Sequence, residues 1–242
     1  MTLRMRRVMG LAMACAAGAA NAQAPEEPTY KGRATASAAF ASGNAPSRRL
    51  YGDAELTARA PAYRYDLSGK VEERAEEGAR TVSIWRAGGN RDHFLDADRF
   101  LYARGAIEHD GAKDLERRLS AGAGYGADLV STERARLSAR GGLDVVEERR
   151  TGLPARNYPA LGWALKASYR LEASRAELFH EQDGLRDLRD NGVVLHTKSG
   201  LRIPVAQGLS ASVQLNVDWE SRPAPGVHPT DTVLLFGAAL DW

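Results

Sequence analysis

The segment GLSASVQLNVDWES alternates apolar and polar side chains with a period of two residues. Leu, Ala, Val and Trp occupy one parity, while Ser, Gln, Asn, Asp and Glu occupy the other. Successive side chains of a β-strand point to opposite faces, whereas a helix would scatter these residues around its circumference. The segment therefore predicts a strand with one apolar face and one polar face.

The same alternation recurs along the chain and predicts twelve strands. The least regular is the fourth, within 82–95, because RAGGNRD interrupts its alternation. The stretch VEERAEEGAR lacks an apolar face, so we interpret it as a strand end followed by a loop rather than as a helix. The predicted strands begin near Lys31, Arg48, Tyr63, Val82, Phe100, Leu115, Arg134, Pro159, Arg175, Asn191, Gly208 and Asp231.

The segments between these strands alternate in length. RAPAY, LDADR, VSTER, LEASR and PVAQG are short, and most of the intervening segments are longer and rich in charge, Gly or Pro. Short turns at one end and longer loops at the other are typical of outer-membrane barrels, with the turns in the periplasm. The sequence thus predicts an all-β, antiparallel, up-and-down transmembrane barrel of twelve strands with longer extracellular loops.

The apolar face of such a barrel is expected to meet lipid. About eight strands already give an interior that side chains just fill, so twelve enclose too wide a space for an apolar core. Closure also satisfies the backbone hydrogen bonds of every strand, as lipid requires. Aromatic residues near predicted strand ends are candidates for the two interfacial girdles: Tyr63, Tyr65, Tyr158, Trp163, Tyr169, Trp219 and Trp242.

The first 22 residues are typical of an export signal. MTLRMRR is basic, VMGLAMACAAGAA is apolar, and ANA supplies small residues for cleavage before Gln23. We expect residues 1–22 to be a cleaved signal peptide, 23–30 a short linker and 31–242 the barrel. The only cysteine, Cys15, lies in the signal, so the mature chain would carry no disulfide.

Removal of this segment changes the charge balance. The loss of three arginines would leave 30 basic residues against 31 acidic ones. Nucleic-acid binding draws on a surplus of basic charge, so nucleic acid is not expected as a partner. The expected partners are outer-membrane lipid, lipopolysaccharide, periplasmic chaperones and the barrel-assembly machinery, while the oligomeric state is left open.

The chain ends on DTVLLFGAALDW, in which an apolar stripe runs to Trp242. Most domains end in a frayed polar tail. The last strand of a barrel must close against the first, and a terminal aromatic residue is similar to the assembly signal of outer-membrane proteins. We therefore predict that Trp242 is this signal.

Several segments resemble the salt-induced outer-membrane proteins, a bacterial family of unknown function. They are ASGNAPS after the first strand, STERARLSARGGLDVVEER in the middle, and SASVQLNVDWESRPAPGVHPTDT followed by LDW. The resemblance covers roughly 31–242. It implies an outer-membrane barrel with a possible osmotic role, and it carries over no substrate or active site.

The polar parity of the strands predicts the side chains that line the lumen. On opposite sides of a twelve-stranded barrel, the second strand carries Asp53 and Glu55 and the eighth carries Lys166, with Arg140 beside it. An acidic wall facing a basic wall would impose a transverse field on solutes in a narrow pore. If instead these groups pair with neighbours, they plug the barrel. The full set of predicted lumen residues is Asp53, Glu55, Arg140, Lys166, Arg170, His196, Gln214 and Asn216.

The sequence gives little support for an enzyme. No histidine stands beside a serine in a known lipase pattern, and His196 and Ser212 in the lumen would not meet lipid. DGLRDLRDNG carries three aspartates, but its arginines favour a solvated loop over a metal site. We predict no catalytic residue, metal or cofactor. The expected role is a passive small channel or an envelope-stabilising barrel; the alternatives are a surface binding or adhesion module and, third, a lipid-modifying enzyme.

Overall fold

The computed structural model describes residues 27–41, 47–76 and 79–242, and over these ranges the chain forms one closed antiparallel barrel of twelve strands. The predicted fold class and strand number are confirmed. The predicted signal peptide, residues 1–22, lies outside the described residues. The strands are β1 Thr29–Ala41, β2 Ser47–Arg59, β3 Tyr63–Glu76, β4 Ala79–Phe94, β5 Arg99–Asp110, β6 Leu115–Ser131, β7 Ala135–Arg150, β8 Arg156–Arg170, β9 Glu177–Asp187, β10 Val193–Ala206, β11 Leu209–Glu220 and β12 Thr230–Asp241.

Each strand pairs with its neighbours in sequence, and β12 pairs with β1 to close the ring. Because the number of strands is even, β1 begins and β12 ends at the same end of the barrel. We call this the near end and the opposite end the far end. Within the described residues, no helix is long and apolar enough to cross a membrane.

The strands reach further toward the far end than the sequence pattern predicted. The segment EERAEEGARTV was expected to be mostly loop, but β3 continues to Glu76 and β4 begins at Ala79. The aspartate-rich loop is likewise shorter, because Asp183 and Asp187 belong to β9. Strands persist there without an apolar face because inward charged residues bridge them; Arg74 on β3, for example, bonds Asp231 on β12 at 2.7 Å.

Side-chain parity follows the sequence prediction closely. Leu215 and Leu234 lie on the outside of the barrel with 41% and 48% of their surface exposed, whereas Gln214 points inward and is 1% exposed. Apolar residues thus cover the outside and polar residues fill the inside, the reverse of a soluble domain. Tyr158, expected in an aromatic girdle, instead points inward, and its hydroxyl donates to Glu148.

The last residue completes the seam between β12 and β1. The amide of Gly32 donates to the carbonyl of Trp242 at 2.9 Å, and the amide of Trp242 donates back at 3.0 Å. The indole of Trp242 lies over Gly32, in space that any side chain at that position would need. The seam therefore combines backbone pairing with an aromatic ring packed on glycine.

Candidate functional site

The inward face forms a charged lumen with a central cavity of about 210 Å³. Six of the eight predicted lumen residues line this cavity, which is bordered by both acids and bases: Asp53, Glu55, Arg140, Lys166, His196 and Asn216. Gln214 lies beside it and donates to Asn216 at 2.8 Å. Arg170 is exposed at the near end of β8 and does not border the cavity.

The predicted acidic and basic walls meet instead of facing each other across open space. Lys166 on β8 approaches Glu55 on β2, six strand positions away, to 3.6 Å. Lys198 on β10 contacts the same carboxylate at 2.9 Å and Glu181 at 3.4 Å. Of the two alternatives left open by the sequence, paired charges describe this region, because long lysine side chains reach across the lumen to the carboxylates.

A second set of contacts crosses the barrel near the middle of the strands. Arg86 on β4 forms a bidentate pair with Asp183 on β9, with distances of 2.6 and 3.2 Å. His196 on β10 lies 3.6 Å from Glu108 on β5 and 2.6 Å from Asp218 on the adjacent β11. The Arg86–Asp183 and His196–Glu108 pairs join strands five positions apart around the ring.

Toward the far end, Arg118 is the centre of a buried cluster. Its guanidinium contacts Glu108 at 3.1 Å, Glu148 at 2.8 Å and Glu220 at 2.8 Å. Arg150 contacts Glu220 as well, at 3.0 Å. Each of the three carboxylates and Arg118 is at most 6% exposed. We call these five residues the Arg118 cluster; it connects β5, β6 and β7 with β11 on the opposite wall.

The near end of the lumen is narrowed by aromatic rings and arginines. Phe100 packs edge-on against Phe94, with ring centroids 5.5 Å apart. The guanidinium of Arg64 lies 4.8 Å from the Phe100 ring centroid and forms a 2.8 Å ion pair with Asp92. Such stacking combines cation–π attraction with shielding of the ion pair from water. Both openings are thus lined by inward-pointing bulky groups.

The aspartate-rich segment between β9 and β10 forms ion pairs with arginines. Asp190 contacts Arg156 at 2.8 Å and Arg222 at 3.3 Å, and Asp187 contacts Arg156 at 3.0 Å. The amide of Gly192 donates to Asp190, and this hydrogen bond together with the arginines lowers the pKa of Asp190. Over the described part of the chain, no group of three or more His, Cys, Asp or Glu residues is placed to hold a metal ion.

Some important lumen residues were not singled out from the sequence. Parity places Arg118 and Glu220 on the inward face, but it contains no information about contacts across the barrel. Arg86 lies in the strand with the least regular alternation, so its inward orientation was hard to predict. His196 and Ser212, the candidate catalytic residues of the lumen, lie apart along β10 and β11. In the strand register His196 is opposite Asp218, and Ser212 is opposite Arg202.

A protein family described as "Protein of unknown function, DUF481" matches residues 34–242, which is nearly the whole described barrel. The chain belongs to the DUF481 family. No curated protein matches the sequence of this DUF481 protein. The family assignment agrees with the predicted family of unknown function, while the salt-induced character implied by the resemblance stays a hypothesis.

Solved structures similar to the DUF481 barrel include two porins and an autotransporter translocator domain. The NanC porin shares 9% identity with a TM-score of 0.53, over 86% of this chain and 98% of the porin. The KdgM porin shares 10% identity over 86% of this chain and 98% of the porin, with a TM-score of 0.43. The NalP autotransporter translocator domain from Neisseria meningitidis shares 13% identity over 87% of this chain and 86% of that domain, with a TM-score of 0.44. At these identities, the NanC similarity establishes a porin-like barrel fold.

Proposed function

We propose that this protein spans the bacterial outer membrane as a barrel whose lumen is held closed by ion pairs, with its near end in the periplasm. The apolar outer face supports the membrane location, because charged side chains would be costly there and are instead turned inward. On this proposal, the passive role is that of an envelope-stabilising barrel rather than an open diffusion pore.

Direct ion pairs between opposite walls are the observation that carries this proposal. Arg118–Glu220 lies toward the far end, Arg86–Asp183 near the middle and Lys166–Glu55 toward the near end. Arg118–Glu220 is buried, and a buried pair is costly to break, since either partner alone would be an uncompensated charge. The other two pairs are more exposed to the lumen, and together the three levels oppose the passage of hydrated solutes.

The central cavity favours a second candidate function, a narrow channel for small ions. The cavity is lined by both lysines and carboxylates, which could exchange partners with a passing ion more easily than an apolar plug could. Conduction through it would require the side chains of the Arg118 cluster to separate. The proposed closed barrel is therefore the resting state from which such a channel would have to open.

Planar-bilayer recording distinguishes the two functions. We expect the purified wild-type protein to show little or no steady conductance. Lys166→Glu places a second carboxylate beside Glu55. If the lumen conducts, this variant should shift the selectivity toward cations, measured as a reversal potential in a salt gradient; if the lumen is closed, the variant should also show no steady current, because the Arg118 cluster is intact. Arg136→Gln, an exposed change at the near end of β7, is the control. A large steady wild-type current would overturn the closed-barrel proposal in favour of an open channel.

The proposal also includes the partners expected from the sequence. Lipid and lipopolysaccharide would contact the outward apolar residues and the far-end rim, where Arg117 on β6 lies opposite Arg149 on β7 and forms an ion pair with Glu147. The exposed guanidinium of Arg149 suits a phosphate of lipopolysaccharide. The assembly machinery would recognise the β12 stripe that ends at Trp242.

A further inference from the structure

On the outward face of the described strands, four side chains on β9 and β10 interrupt the apolar surface. In the β9–β10 register His180 is opposite Ser199 and Gln182 is opposite Thr197. Their neighbours along β9 and β10 on the same face are Leu178, Leu195 and Leu201. We call these four residues the polar quartet. They form a two-by-two block within the apolar belt.

The outward orientation of the quartet follows from the inward contacts of its neighbours. Glu181 and Lys198 form an ion pair in the lumen, and Asp183 and His196 also point inward. Since strand side chains alternate between faces, the residues between them point outward. Across the other described strands, outward polar side chains lie near the rims, as with Arg91, Arg117 and Arg149.

The quartet is only partly satisfied within its own barrel. His180 Nδ1 and Ser199 Oγ form a hydrogen bond of 2.8 Å. Among the described residues, no hydrogen bond is formed by the Gln182 amide, the Thr197 hydroxyl or His180 Nε2. Hydrocarbon chains offer no donors or acceptors, so exposure of these groups to lipid is unfavourable. Polar groups at this depth are expected to be covered by another protein surface.

We infer that the polar quartet is the centre of a dimer interface between two copies of this chain. Each of its side chains can both donate and accept, so the same patch on a second barrel is complementary to it. A two-fold interface requires this self-complementarity, because the same surface is used by both subunits. The inference rests on the proposed membrane location.

The surroundings of the quartet permit close approach of a second barrel. Ala167 on β8 is directly opposite His180, and Gly184 follows Gln182 on the outward face of β9. The Trp163 ring fills the space above Gly184, so the small residue that stays open beside the quartet is Ala167. Small residues beside interacting polar groups are typical of membrane protein interfaces, where van der Waals packing and hydrogen bonds replace the hydrophobic effect.

Cysteine crosslinking in isolated membranes tests the interface. In a Cys15→Ala background we expect Gln182→Cys to form disulfide-linked dimers on mild oxidation. The matched control is Leu67→Cys on β3, which is 57% exposed and lies six strand positions from β9. We expect it to stay monomeric. Equal crosslinking of both variants would show random collisions and overturn the inference.

A second measurement uses the mass of the purified protein in detergent. We expect the wild type to have about twice the mass of the monomer, and the variant His180→Leu, Gln182→Leu, Thr197→Val, Ser199→Ala to be monomeric. Heat-modifiable migration on gels shows separately that each is a folded barrel. A folded, membrane-located, monomeric wild type would overturn the dimer alone, whereas a wild type absent from outer membranes would overturn the proposed location. A further assay measures the release of fatty acid from phosphatidylethanolamine vesicles. If the wild type releases fatty acid and Ser199→Ala does not, the dimer inference is overturned, because the His180–Ser199 pair would then serve catalysis instead of association.

Discussion

Replacement of Arg118 by Met is the sharpest test of the charged lumen. The side chain is 3% exposed and contacts three carboxylates from three different strands. Methionine preserves much of the volume but removes the charge and every donor. Glu148 and Glu220 would then share Arg150, at 2.8 and 3.0 Å, and Glu108 would keep His196, at 3.6 Å, so the cluster would hold an excess of negative charge.

The expected destabilisation follows from this geometry. Removal of one partner from a buried ion pair costs about 3–5 kcal/mol, because the remaining charge is desolvated and unpaired. The retained contacts of Arg150 and His196 limit the loss, so we expect the lower part of this range, about 3 kcal/mol. That is roughly a hundredfold change in the ratio of folded to unfolded protein.

Urea unfolding in lipid vesicles, followed by tryptophan fluorescence and by gel mobility, measures this difference. Arg136→Met is the matched control, because Arg136 is exposed at the near end of β7. We expect a surface change of this kind to alter the unfolding free energy by about 0.5 kcal/mol or less. The denaturant slope should be equal for both variants, so that the midpoints report stability.

The origin of the loss can be tested by neutralising the acids. If the cost comes from the excess negative charge, adding Glu148→Gln to Arg118→Met should recover part of the stability, although Glu148→Gln alone is expected to be destabilising. The reasoning would be refuted if Arg118→Met were no less stable than Arg136→Met. It would also fail if the second change gave no recovery, because the loss would then come from packing.

Three further predictions concern the faces, the seam and the location of the barrel. Leu215→Lys should lower the yield of folded barrel, because a lysine on the lipid face costs about 2–4 kcal/mol at the bilayer midplane. The control Asn90→Lys points inward, lies opposite Asp66 and should be tolerated. Equal yields of the two variants would contradict the assignment of the faces. Gln214, the inward neighbour of Leu215 on β11, is not used for this control, because its side chain is 1% exposed and leaves no room for a longer one. Deletion of Trp242 or Gly32→Leu should reduce the heat-modifiable fraction, since both disturb the ring packed on Gly32; unchanged levels would show that the terminal aromatic is dispensable. The mature protein should begin at Gln23 and fractionate with outer membranes, as read by amino-terminal sequencing, and recovery in the soluble periplasm would contradict the membrane location.

The sequence by itself determined the strand number, the faces and the terminal stripe. A period of two is a local property, so Leu215 and Gln214 could be assigned to opposite faces without knowing their neighbours. Strand ends were less certain where the apolar face was missing. The segment between Val71 and Val82 was assigned largely to loop, because the inward ion pair that holds the end of β3, Arg74–Asp231, involves a distant strand.

Only the tertiary structure decided which polar residues meet. The strand order puts Lys166 and Glu55 on opposite walls, but whether they touch depends on strand tilt, stagger and the reach of both side chains. The polar quartet depends on register in the same way, since a slip of one residue between β9 and β10 would bring Ser199 beside an inward residue instead of His180. Alternation along a strand is encoded by neighbouring residues, whereas contacts across a lumen or between strands are set by the closure of the whole barrel.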